Sequence, residues 1–120
     1  MGILEKMRLD GKAAFVTGGA RGIGKSISAA LAEAGADVAI VDIDLEESQK
    51  TAAEIASATG QKTIAVKADV TAQDDVNAMI AAVQDAFGKL DIAVCNAGIC
   101  MNIPAEEMTL EQWLKVININ

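Results

Sequence analysis

The sequence has no histidine and no tyrosine among its 120 residues. Without an imidazole, a histidine-based nucleophilic triad is excluded. The common zinc sites lose one of their main ligand types, so no metal site is expected. Positive charge is scarce: 10 Lys and Arg stand against 17 Asp and Glu, a net charge of −7. That balance works against gripping a phosphate backbone, and nucleic acid is not an expected partner. No apolar run approaches bilayer-spanning length, and Met1 to Asp10 lacks the apolar stretch of a signal peptide. No membrane partner is expected, and a cytoplasmic location is the default. Cysteine is limited to Cys95 and Cys100, and Cys95, closing an apolar run, reads as a small core residue. Neither a repeat nor a linker interrupts the chain, so one domain over residues 1–120 is expected.

What the sequence does have is apolar residues, 52% of the total and enough for a packed core. It also has a glycine cluster, Thr17-Gly18-Gly19-Ala20-Arg21-Gly22-Ile23-Gly24. The cluster follows Ala13-Ala14-Phe15-Val16, a buried strand by its continuous apolar run. It precedes a helical stripe of Ile23, Ile27, Ala30, Leu31 and Ala34. A strand, a glycine turn and a helix start therefore succeed one another. Glycine lets backbone approach a ligand, and the helix N-terminus offers unpaired N–H groups at its positive dipole end. Together these make a diphosphate site. The spacing T-G-x-x-x-G-x-G departs from the ordinary dinucleotide fingerprint, and a tight turn is the plain alternative.

The alternation continues along the chain. Met1 to Lys12 is a polar lead-in, with a turn at Asp10-Gly11. Gly35 suits a left-handed helix cap, and Val38 to Val41 form a second strand ending in Asp42. Asp44 caps the next helix with Glu47 three residues on; Leu45, Ala52, Ile55 and Ala56 are its expected buried face, and Gly60 its end. A third strand, Thr63 to Val66, leads to Ala68-Asp69-Val70. Thr71 and Asp74 open a helix with the stripe Val76, Met79, Ile80, Val83 and Phe87, closed by Gly88. Asp91 to Cys95 form a fourth strand, followed by Asn96-Ala97-Gly98. After a loop holding Pro104, Thr109 and Gln112 form a capping box for a last helix carrying Leu110, Trp113, Leu114 and Ile117.

Continuous apolar strands alternating with amphipathic helices predict an α/β fold: a Rossmann-type doubly wound parallel sheet covered on both faces, strand order 3-2-1-4. Ligands of such sheets lie beyond the carboxyl ends of the strands. Gly18, Asp42, Asp69 and the run Asn96 to Gly98 would then share one edge. Asp42 stands where an acid accepts from an adenosine ribose, which favours NAD over NADP, with Ile43 beside it; a helix cap is the alternative, for which Asp44 is better placed. Arg21 pulls the other way, unless it is solvated or paired with a surface carboxylate. Asp69 is placed for an adenine amino group with Val70 against the ring, a helix cap being the rival role. Asn96-Ala97-Gly98 joins small residues, which let a ribose or nicotinamide lie close, to an amide that can tie neighbouring backbone groups, a plain turn being the alternative.

Taken together, Thr17-Gly18-x-x-x-Gly22-x-Gly24, Asp42, Asp69-Val70, Asn96-Ala97-Gly98 and Trp113-x-x-Val116-x-x-x-Asn120 resemble the short-chain dehydrogenase/reductase family from about Leu9 to Asn120. The resemblance implies an NAD(P)-dependent oxidoreductase that moves hydride between nicotinamide and an alcohol or carbonyl carbon. It places Gly18, Arg21, Gly22, Ile23 and Gly24 at the diphosphate, Asp42 at the ribose, Asp69 and Val70 at the adenine, and Asn96 to Gly98 at the nicotinamide side. Asn120 matches the family's catalytic asparagine, which holds a water in the proton relay; Asn118 fits that register less well. Cys95 stands where the family often has a second asparagine.

The family's serine and Tyr-x-x-x-Lys are not among these residues, so the chain looks like the front half of a longer enzyme. On its own it is expected to be inactive, with an open fourth-strand edge and an uncovered last helix. The expected cofactor is NAD, NADP being disfavoured, and the expected substrate a small polyol, sugar or secondary alcohol, or the matching ketone. A 3-oxoacyl thioester reductase is the alternative within the chemistry, and a non-catalytic dinucleotide-binding module the alternative outside it. A homodimer or homotetramer is implied for the complete protein.

Overall fold

Two apolar tetrads, Ala13 to Val16 and Val38 to Val41, lie at the centre of the sheet and decide the architecture. In the computed structural model, which describes residues 1–120, β1 (Ala13–Thr17) and β2 (Asp37–Asp42) pair in parallel, with Ala13 opposite Asp37 and Thr17 opposite Val41. On the far side of β2 lies β3 (Thr63–Lys67), and on the far side of β1 lies β4 (Ile92–Val94). All pairs are parallel and the order is β3-β2-β1-β4, as the alternating pattern predicts.

Successive residues of a strand face opposite sides, so each central strand feeds two cores. Val16, Val38 and Ile40 point to one side, where Ala32 of α2 (Gly22–Glu33) and Ala52 and Ile55 of α3 (Leu45–Thr59) cover them. Phe15, Ala39 and Val41 point to the other, against Met79 and Val83 of α4 (Gln73–Phe87). Val16, Val38, Ile40 and Val41 are wholly buried, each stabilising the fold by roughly 1.5–3 kcal/mol relative to an exposed side chain. The last helix, α5 (Leu110–Ile119), is opened by the Thr109–Gln112 capping box and buries no residue; Leu110, Trp113, Leu114 and Ile117 all stand exposed. No helix is long and apolar enough to cross a membrane.

Several expectations need correction. The lead-in contains a short helix, α1 (Ile3–Lys6), where the Glu5 carboxylate accepts from the Gly2 N–H at its start. One local bond suffices for a single turn that has no periodic stripe. Coverage on both faces holds for β1 and β2 but lapses at β4, where Ala93 and Cys95 are exposed. Cys95 is therefore not a core residue. Asp91 falls outside β4, its carboxylate accepting from the Ala13 N–H. Leu45, at the first position of α3, is 38% exposed and not part of the buried face. Finally, α4 starts one residue after Ala72 without a side-chain cap, since Thr71 is turned back onto Asp69.

Candidate cofactor site

The carboxyl ends of the four strands open onto one cleft of about 810 Å³. Gly18, Arg21, Ile23 and Gly24 line it from the β1 turn, Asp42 and Ile43 from β2, Asp69 and Val70 from beyond β3, and Asn96, Ala97 and Gly98 from beyond β4. Gly22 and Asn120 are the two expected site residues that do not line it.

The glycines of the turn have separable reasons. Gly18 (φ +64°) and Gly22 (φ +60°) adopt left-handed backbone, which glycine enters without penalty. Gly24 is required by packing: a Cβ there would collide with the Gly18 carbonyl oxygen and lie 2.6 Å from the Asn96 amide nitrogen. The first turn of α2 is thus pressed against both the β1 turn and the loop after β4. Thr51 of α3 supports the turn from behind, its buried hydroxyl donating to the Ala20 carbonyl at 2.6 Å.

This close seating leaves the α2 N-terminus bare. Its capping residue is Arg21, which makes no side-chain cap bond, and its first turn has no acid. The amides of Gly22, Ile23 and Gly24 find no acceptor within the chain. Three N–H groups and the positive dipole end can therefore take an anion.

At the end of β2, Asp42 accepts from the Ala20 N–H (3.4 Å) and the Asp44 N–H (3.2 Å), both long contacts. A carboxylate has about four lone-pair sites, so capacity remains for two hydroxyl donors. Arg21 crosses to Asp44 and pairs with it at 2.7 Å. The other Asp44 oxygen caps α3 by accepting from the Glu47 N–H at 3.0 Å. That bond first, and Arg21 second, hold the Asp44 carboxyl below its ordinary pKa.

Beyond β3, one Asp69 oxygen takes both the hydroxyl and the N–H of Thr71, which lowers the pKa of Asp69. Its second oxygen has no partner in the chain. The loop after β4 is welded to β1: the Thr17 hydroxyl accepts from the Asn96 and Ala97 N–H groups, and the Asn96 amide donates to the Thr17 and Gly18 carbonyls. Asn120 closes the same loop from α5. Its side chain accepts from the Ile99 N–H (2.8 Å) and donates to the Ile99 carbonyl (3.0 Å).

The short chain dehydrogenase family model matches residues 12–120 of this geometry. The chain belongs to the short-chain dehydrogenase/reductase family. It is 45% identical over 118 residues to an uncharacterized oxidoreductase of Schizosaccharomyces pombe, covering 98% of this chain and 45% of that protein. It is 43% identical over 114 residues to a sorbitol dehydrogenase of Cereibacter sphaeroides, covering 95% and 43%. Among solved structures, a short-chain type dehydrogenase/reductase from Mycobacterium marinum superposes with a TM-score of 0.94 at 38% identity, over 99% of this chain and 48% of that one. The chain thus spans about half the length of the curated relatives it matches.

Asp44, Ile99, Lys115 and Ile119 also line the cleft and were not foreseen there. Lys115 and Ile119 lie four apart on α5, the spacing of one helix face, and that was readable. Asp44 was legible only as a cap.

Proposed function

We propose that the protein is an NAD-dependent dehydrogenase, or the matching reductase, for a small polyol, sugar or secondary alcohol. The observation that carries the cofactor half is the bare, acid-free N-terminus of α2 with Asp42 on the neighbouring strand. The residues fit the group. Gly22, Ile23 and Gly24 would give their amides to the diphosphate, with Gly18 admitting it closely. Asp42 would accept from both adenosine ribose hydroxyls, and Ile43 and Val70 would flank the adenine, whose amino group meets the second oxygen of Asp69. Asn96, Ala97 and Gly98 would shape the nicotinamide side. When bound, the nicotinamide supplies hydride transfer to or from the substrate carbon.

The remaining work of these residues is orientation. Asn96 and Thr17 fix the nicotinamide-side loop to β1, and Asn120 fixes it to α5. The resemblance gives Asn120 a water in the proton relay, and in this chain its side chain also ties Ile99. The tyrosine that the resemblance implies as acid/base has no counterpart in residues 1–120, which hold no tyrosine. The polyol reading is supported by the likeness to the sorbitol dehydrogenase. The exposed apolar face of α5 supports packing against a second subunit. An NADP-linked 3-oxoacyl thioester reductase would lean on Arg21, and the Arg21–Asp44 pair disfavours it.

The test is kcat/KM for NAD and NADP in the full-length protein across polyols and secondary alcohols. Asp42→Ala removes charge-assisted bonds worth about 1.5–3 kcal/mol, so the NAD-to-NADP ratio should fall by roughly tenfold or more. A wild type that prefers NADP, or an unchanged ratio, would remove Asp42 from the ribose. Nucleotide binding without turnover of any alcohol or ketone would point instead to a non-catalytic module.

A further inference from the structure

We infer that Asp44 is a second determinant of cofactor choice, acting as a latch that holds Arg21 away from the adenosine 2′ position. The inference rests on the dinucleotide reading above. Arg21 and Lys115 are the cations that line the cleft, and Arg21 is the one beside the end of β2. The guanidinium is the group that would welcome a 2′-phosphate, because its planar fork matches phosphate oxygens. In the structure it is already engaged, at 2.7 Å, by a carboxylate that also lines the cleft. That carboxylate is well anchored. One oxygen caps α3 through the Glu47 N–H, and the Asp44 backbone N–H donates to Asp42.

Asp42 and Asp44 thus stand on the same turn, the Asp44 N–H bonded to the Asp42 carboxylate, and Arg21 reaches Asp44 from the glycine turn. A 2′-phosphate would have to break the Arg21–Asp44 pair and then sit beside two carboxylates. A 2′-hydroxyl asks for neither. The pair is half-exposed, with Arg21 64% and Asp44 44% accessible, so it is partly screened. Its effect on the phosphorylated ligand should therefore be graded rather than absolute.

The experiment is calorimetric titration of the full-length protein with ADP-ribose and with 2′-phospho-ADP-ribose. Asp44→Asn is the informative change: asparagine still accepts the Glu47 N–H as a cap but carries no charge. Affinity for 2′-phospho-ADP-ribose should rise about one-and-a-half- to fivefold, the span of a partly screened ion pair, with ADP-ribose unchanged. Adding Arg21→Gln should abolish the gain, and Asp44→Glu should show none. An Asp44→Asn variant whose two affinities are unchanged, or shift together, would overturn the latch while leaving the cofactor site intact. A wild-type protein that binds neither probe would overturn the dinucleotide reading and the latch with it. A melting curve for each variant, read beside the wild type, separates loss of fold from loss of recognition.

Discussion

The N-termini of α2 and α3 are near enough for an ion pair, yet they are built in opposite ways. α3 opens with Asp44 as a bonded cap and Glu46 and Glu47 in its first turn. Its orphan amides and its dipole are answered from within. α2 opens with Arg21, no cap bond and no acid in the first turn. Ser, Thr, Asp or Asn is the usual stabilising choice at a cap, typically worth about 1 kcal/mol. Forgoing both cap and acid at α2, whose first turn lines the cleft, leaves that end to a ligand. α4 shares the missing side-chain cap but has Asp74 and Asp75 in its first turn, and α5 has its capping box and Glu111. Stability is built at α3, α4 and α5, and binding capacity at α2.

The largest break in this contrast should come from Gly24→Ala. The added methyl would meet the Gly18 carbonyl and the Asn96 amide, neither of which can retreat, because Asn96 is bonded to Thr17 and Gly18. Overpacking of this kind destabilises by about 1–3 kcal/mol. Displacing the α2 amides by even a fraction of an ångström should weaken NAD binding by roughly tenfold to a hundredfold. A melt and a calorimetric titration check both effects, and wild-type behaviour in either would mean that the turn is softer than its contacts imply.

Thr51→Val should rank next. The substitution keeps shape but strands the buried Ala20 carbonyl, a loss of about 1–3 kcal/mol. Thr51 belongs to α3 and supports the α2 turn, so both stability and nucleotide affinity should fall, and Thr51→Ser should restore them. Unchanged affinity in a destabilised Thr51→Val protein would show that the turn holds its shape without α3.

Most of this arrangement was legible because it follows from periodicities. Continuous apolar runs at 13–16 and 38–41 announce central strands, and the order 3-2-1-4 follows from alternating parallel crossovers. The shared edge of Gly18, Asp42, Asp69 and Asn96 was readable for the same reason. What escaped depends on contacts between residues distant in sequence. Nothing local says that Arg21 turns to Asp44 rather than to solvent, or that Asn120 spends its side chain on Ile99. Cys95 looked like core because it extends an apolar run, but burial at β4 depends on what covers that edge and not on the run. Gly24 read as a ligand-facing glycine, whereas its necessity comes from Gly18 and Asn96.

The smallest effect concerns the capped end alone, and its sign follows from the ionisation of Asp44. The Glu47 N–H, and then Arg21, favour the charged carboxylate, so its pKa in the folded state lies below the unfolded value near 3.9. The stabilisation linked to that shift is fully present above the unfolded pKa and is lost as pH falls through the folded one. Comparing wild type with Asp44→Ala isolates this group, because the other carboxylates titrate in both proteins. Their difference in Tm should be steady, about 2–4 °C, from pH 7 down to pH 5. It should then shrink below about pH 4, as the wild-type cap becomes protonated and loses its pull on Arg21. Asp44→Asn should lie close to wild type, with a small salt-sensitive gap from the missing ion pair. If the wild-type advantage over Asp44→Ala persists undiminished at the lowest pH where both fold, the α3 cap works through shape rather than charge. The contrast with α2 would then rest on the hydrogen bond alone. If the gap closes on acidification, charge is what distinguishes the two helix ends, and the end without an acid is the one an anionic ligand should find.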